Sequence, residues 1–135
     1  MKRFEEIPHT ADWSFRAYGA NLRELFANAA HALFEMQGAR AAENAQSITR
    51  RLHVDAMDRE ALLVNWLNEL LFMQEKYREV YGEFQIATLS STKLAAKIIG
   101  KPRTKMDKLI KAVTFHNLQI VQTQNGWEAT VVVDV

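Results

Sequence analysis

The sequence predicts an α+β fold: one domain over residues 1–135, with a largely antiparallel sheet and two helices packed against it. Three observations lead there. Two long stretches carry apolar residues at helical spacing, several shorter ones alternate with a period of two, and the "QNGW" of residues 124–127 joins two of the latter through a tight turn. With 135 residues, 48% of them hydrophobic, the chain is long enough to bury one proper core.

The first strand pattern is residues 13–18, where Trp13, Phe15 and Ala17 share one side and Ser14, Arg16 and Tyr18 the other. Gly19 breaks it. Asn21, with Glu24 three residues on, resembles a capping box for a first helix over 22–37, whose Leu22, Leu25, Phe26, Ala29, Leu33 and Phe34 form one stripe, and which ends near Gly38. Residues 39–48 carry no pattern. "RRLHVDAM" then alternates Leu52 and Val54 against Arg51, His53 and Asp55, and the strand, helix, strand order invites a right-handed crossover. A second, longer helix is expected from Asp58, its N-cap, to Tyr81. After Gly82 the period returns to two, around Phe84 and Ile86 and again in "KLAAKIIG" at 93–100. Residues 117–123 and 127–133 form a hairpin, with Asn125 and Gly126 suited to a type I′ turn. In "TKMDKLIKAVTFH", residues 104–116, periodicity leaves strand and helix open over 104–113.

Composition excludes several classes. The chain has no cysteine, which removes disulfides, thiolate nucleophiles and thiolate zinc sites. A formal charge of +1 gives no overall pull toward nucleic acid or membrane. No apolar run spans a bilayer and the first ten residues lack a signal-peptide core, so a cytoplasmic protein with no membrane partner is expected. A glycine-rich phosphate loop and a nucleophile elbow are both absent, which argues against independent catalysis.

Candidate ligands lie at the two ends of the chain. In the last strand Trp127, Ala129, Val131 and Val133 share a side, so Asp134 projects away from the core, next to Val135 and its α-carboxylate. Oxygen donors of this kind suit Ca²⁺, Mg²⁺ or Mn²⁺; a solvated chain end is the simpler reading unless a second contributor exists. Asp12, just before the first strand, could be that contributor, and His9 could ligate or orient, although an Asx turn and a backbone hydrogen bond explain the two equally well by spacing. Lys111 interrupts an apolar run, where it could snorkel to water or hold an anionic group. Residues 93–111 hold seven basic residues against one acid, Asp107, without interleaved aromatics; a solvated face is the first reading and contact with phosphate the second.

Taken in order, "HTAD" at 9–12, "ELFANAAHALFEM" at 24–36, "WLNELL" at 66–71, "IKAVTFH" at 110–116 and "GWEATVVVDV" at 126–135 resemble the archease family across almost the whole chain. That resemblance implies an activator of an RtcB-type RNA ligase rather than an enzyme. The ligase uses GTP and a divalent metal to attach GMP to one of its own histidines, and the accessory promotes this guanylylation and multiple turnover in tRNA splicing and RNA repair. RNA would be met indirectly, through the ligase. By the resemblance, Asp12 and Asp134 form the metal site, with Val135 adding main-chain or terminal oxygen. Lys111 matches a lysine tied to partner activation, with Glu69 and His9 as weaker extensions. Two departures stand out: Phe115 occupies a position that is often tyrosine in the family, and "GKPRTKMDKL" is basic where the family is commonly acidic. The alternative is an RNA-binding or chaperone-like modulator of tRNA-modifying enzymes.

Overall fold

The structure, a computed structural model, describes residues 2–7 and 13–135. Its strands divide between two antiparallel sheets. In the first, β1 (Phe4–Ile7) pairs with β2 (Trp13–Gly19), and β2 pairs with the terminal strand β9 (Gly126–Asp134). The other edge of β9 is shared by β8 (Ile120–Thr123) and β7 (Ala112–Thr114). In the second, the long strand β6 (Lys93–Lys105) lies between β4 (Ile48–Asp55) and β5 (Glu79–Leu89), and β3 (Arg40–Ala41) pairs with its end.

Two helices, α1 (Leu22–Gln37) and α2 (Arg59–Tyr77), lie between the sheets, each touching strands of both. This position explains their wide apolar faces, since a helix between two sheets is buried on opposite sides. Phe26, Leu33 and Phe34 of α1 meet Trp66, Leu67 and Leu70 of α2 in one core with Phe15, Val131, Phe84 and Ile98 from the strands. The Trp66 indole N–H donates to the Phe26 carbonyl at 3.0 Å, so the largest core side chain leaves no buried polar atom unpaired.

Local signals act as expected at both helix starts. Asn21 Oδ1 accepts the Glu24 N–H and Glu24 Oε1 accepts the Ala20 N–H, a reciprocal cap one residue wider than the usual box. Asp58 Oδ1 accepts the Ala61 N–H at 2.8 Å. Gly38 closes α1 at φ 65°, its N–H reaching back to Glu35.

Four expectations are corrected. The strands flanking α1, β2 and β4, enter different sheets, so there is no crossover between them. Helix α2 stops at Tyr77 instead of Tyr81, because Arg78 takes a left-handed cap at φ 54° and Glu79 and Tyr81 are drawn into the buried end of β5; Gly82 marks a register shift in that strand instead of a helix end. The hairpin expected of residues 117–123 and 127–133 forms, with strands Ile120–Thr123 and Gly126–Asp134, but Thr123 pairs with Gly126 around Gln124 and Asn125, neither of which has positive φ, so the turn is not type I′. Gly126 itself sits at φ 132°, where an added Cβ would lie 2.3 Å from the Gly19 carbonyl oxygen. Its lack of a side chain serves this close approach to the β2–α1 turn. Residues 106–111 are neither strand nor helix; β6 ends at Lys105, and β7 begins at Ala112.

Candidate functional site

Alternation in β9 places Ala129, Val131 and Val133 in the core and leaves Asp134 and Val135 exposed at the strand end. Neither Asp134 nor Val135 has an ion-pair partner within 4.0 Å among the described residues. Their oxygens are open to solvent and chemically suited to a hard cation. His9 and Asp12 lie outside the described residues, and among those described no group of three or more His, Asp or Glu is arranged to hold a metal.

Lys111 is brought to the same end by its backbone. Its N–H donates to the Asp134 carbonyl at 2.8 Å, and Ala112 is the register partner of Asp134. Three further contacts fix this short segment. The Ile110 N–H donates to Gln37 Oε1 at 3.0 Å, the Val113 N–H donates to Asn68 Oδ1 at 2.8 Å, and Asn68 Nδ2 returns a bond to the Val113 carbonyl at 3.1 Å. The Gln37 carbonyl accepts the N–H groups of both Asp107 and Lys108. These bonds tie the irregular backbone to both helices and to β9. The Lys111 side chain remains exposed, beside an apolar groove lined by Leu71, Phe72, Leu109 and Ile110. On the β2 side, Lys108 Nζ lies 5.2 Å above the Trp13 ring, whose indole N–H donates to Glu6.

Glu69 sits on α2, half-buried and next to Asn68, with no side-chain partner among the described residues. Asn68 is the residue that sequence reasoning passed over. Its signal was a short polar side chain in an otherwise apolar helical stripe, which in a buried setting must find backbone partners. Gln37 and Gln74 carried the same signal, both fully buried and polar.

The most strongly perturbed groups lie elsewhere, at the edge of the second sheet. Arg50 forks onto Glu79 at 2.6 and 2.8 Å, Tyr81 donates to Glu79 at 2.6 Å, and the guanidinium stacks 3.5 Å from the Tyr77 ring centroid. The Arg50 hydrogen bonds hold the Glu79 carboxyl below its ordinary range, while burial, then the Glu79 contact, raises Tyr81. Every polar member is satisfied, and the cluster ties the α2–β5 turn to β4; it is a structural clamp.

Lys93, Lys97 and Lys101 of the 93–111 segment lie on the side of β6 away from the helices, while Arg103 is taken up by Glu75 at 2.7 Å. Phe115 is 58% exposed just beyond β7. No helix among the described residues is long and apolar enough to cross a membrane.

The model of the Archease protein family (MTH1598/TM1083) matches residues 4–135. Curated relatives called Protein archease include one from Methanosarcina barkeri, 34% identical over 99% of this chain and 97% of the relative, and one from Methanothermobacter thermautotrophicus, 35% identical over the whole of both. The solution structure of protein 1598 of Methanobacterium thermoautotrophicum superposes with a TM-score of 0.72 at 30% identity, covering all of both chains. The crystal structure of an archease and possible chaperone from Thermotoga maritima has a TM-score of 0.70 at 21% identity over 96% of this chain and 94% of that one, which supports the fold. With its two helices, its antiparallel sheets and a family match over all but its first three residues, this chain belongs to the archease family.

Proposed function

We propose that this protein is a cation-dependent accessory of an RtcB-type RNA ligase, promoting GTP-dependent guanylylation of the ligase and its repeated turnover. The observation that carries the reading is the 2.8 Å bond from the Lys111 N–H to the Asp134 carbonyl, which unites a cationic and an acidic residue on one firmly held strand end. Asp12 is bonded to Trp13 and Asp134 to Val133, and Trp13 and Val133 are register partners.

Asp134, Asp12 and an oxygen of Val135 would hold Ca²⁺, Mg²⁺ or Mn²⁺, with His9 and Glu69 as weaker candidates. When bound, such a cation supplies Lewis-acid stabilisation of phosphate charge. Lys111 contributes a positive group on a held backbone that can pair with an anion of the partner or of GTP, and the pinned backbone lessens the reorganisation that a free loop would require. The protein contributes position and charge, and the ligase contributes the nucleophile.

The test is the rate of GMP attachment to purified ligase, with GTP and divalent cation and without RNA. Stimulation by the wild-type chain, lost in Asp134→Ala and Lys111→Ala variants that keep the wild-type melting temperature, supports the reading. Full stimulation by both variants refutes it.

A further inference from the structure

The outward faces of the two sheets treat charge in opposite ways. On the first, cations are matched: Arg16 lies 3.5 Å from Glu128 and 3.6 Å from Glu5, Lys2 lies 3.1 Å from Glu5, and Tyr18 donates to Glu5. On the second, Leu94, Ala96 and Ile98 of β6 face the core, so Lys93, Lys97 and Lys101 point away from the helices. Arg51 of β4 is the direct register partner of Lys97. Two cations facing each other across a ladder are destabilising. No ion pair relieves them: among the described residues no carboxylate lies within 4.0 Å of Arg51, Lys97 or Lys101. Of the two carboxylates of this face, Asp55 pairs with Lys93 at 3.4 Å, and Glu83 accepts from the neutral Gln85 amide and makes no ion pair within 4.0 Å among the described residues, so one anion stands against Arg51, Lys97 and Lys101 and the face stays net positive.

We infer that the outer face of the second sheet, centred on Arg51, Lys97 and Lys101, binds the phosphodiester backbone of RNA. Lys97 and Lys101 are four residues apart on one strand, about 13 Å, with Arg51 alongside. Cations spaced along a strand without ion-pair partners suit a polymer that repeats one negative charge along a line, whereas the acidic surface of a folded protein mixes charges and would leave some cations unmet. Ala95 and Ala87, beside Arg51 and Lys97, are small enough for a backbone to approach, and among its described residues the face carries no Phe, Tyr or Trp on which bases could stack. Recognition is therefore of phosphate and independent of sequence. The choice of RNA among nucleic acids rests on the ligase-accessory reading; the site rests on the charge pattern.

The test is fluorescence anisotropy of a labelled single-stranded RNA of mixed sequence with the isolated full chain, titrated with salt. Three phosphate contacts predict a slope of log K against log salt of about −2. Arg51→Glu would turn the like-charge pair with Lys97 into an ion pair, so the variant should keep or raise the melting temperature while its RNA affinity falls about tenfold and its slope flattens. Lys97→Glu should behave alike, and Lys2→Glu, on the other sheet's face, should leave binding unchanged. Binding that is absent at low salt, or unaltered in folded Arg51→Glu and Lys97→Glu, overturns the proposal. So does equal, equally lost affinity for polyglutamate, which would make the face a site for acidic protein. Ligase guanylylation without RNA reports the Asp134 end alone, so Arg51→Glu should leave it at the wild-type rate, and each reading can fail without the other.

Discussion

Gln37 and Gln74 donate to one another across the helix pair, Nε2 to Oε1 at 3.0 Å and back at 2.9 Å, and Gln37 Oε1 also accepts the Ile110 N–H that precedes Lys111. A buried amide pair joining α1 to α2 is thus one step from the exposed lysine. Gln37→Leu strands two buried donors and should cost about 2 to 4 kcal/mol in urea unfolding. Gln37→Leu with Gln74→Leu should cost less than the sum of the single changes, because one stranded donor disappears. Both variants should lower ligase stimulation at temperatures where the protein is still folded, since Ile110 loses its anchor.

Asp134→Asn, by contrast, should leave stability within about 0.5 kcal/mol of wild type, because the side chain is exposed at a strand end. If the oxygen site exists, calcium affinity measured by titration calorimetry should fall by about tenfold for this loss of one charge. Equal affinity in the two proteins would remove Asp134 from the cation site.

Glu79 sets an acid limit on the fold. Its carboxyl is held below the ordinary value of 4.5 by Arg50, so near and below that pH the unfolded chain binds more protons than the native one. The clamp's contribution is complete above about pH 4.5 and drains away as pH falls through the lowered native value. Half-buried His31, packed edge-on at 4.9 Å to the Phe84 ring, is also depressed, by burial, and its contribution is lost on acidification below its ordinary 6.5. Stability profiles of wild type and Glu79→Gln should therefore run parallel between pH 7 and about 5 and converge at lower pH. Glu79→Ala, which leaves Arg50 and Tyr81 facing an empty carboxylate position, should cost about 3 kcal/mol at neutral pH.

Gly126→Ala combines a backbone at φ 132° with a Cβ driven against the Gly19 carbonyl, and about 2 kcal/mol should be lost in thermal or chemical unfolding. Gly82→Ala is the control: nothing lies within 4 Å of the added atom and its φ is not positive, so stability should hold or rise slightly.

Elements defined by side-chain periodicity were legible in the sequence. Phe15 and Ala17 lie inward opposite Arg16, and Asp134 lies outward opposite Val133, because alternation in a strand is a rule of geometry. Both N-caps could be read from Asn21 and Asp58. What escaped depended on partners distant in the chain. The α2 end is set by Arg78, a residue with no intrinsic preference for a left-handed cap, and the burial of Glu79 depends on Arg50 in another strand. The division into two sheets is equally non-local, since β2 and β4 have similar alternation and only pairing with β9 or β6 separates them. At the candidate site, Lys111 and Asp134 stand out as charges among apolar residues, whereas Asn68 and Gln37, which fix their relative position, look like ordinary polar residues on helices.

The pairing of β2 with β9 has a kinetic meaning. Arg16 and Thr130, bonded across that ladder, are 114 positions apart. Closing so long a loop is slow, and the contacts of α1, α2 and the β4–β6 sheet are more local and can form ahead of it. The strand end that carries Asp134 and orders Lys111 is then among the last parts to assemble. A partially folded chain would have its helices and second sheet and lack the first site altogether, so only molecules that have completed folding can present it.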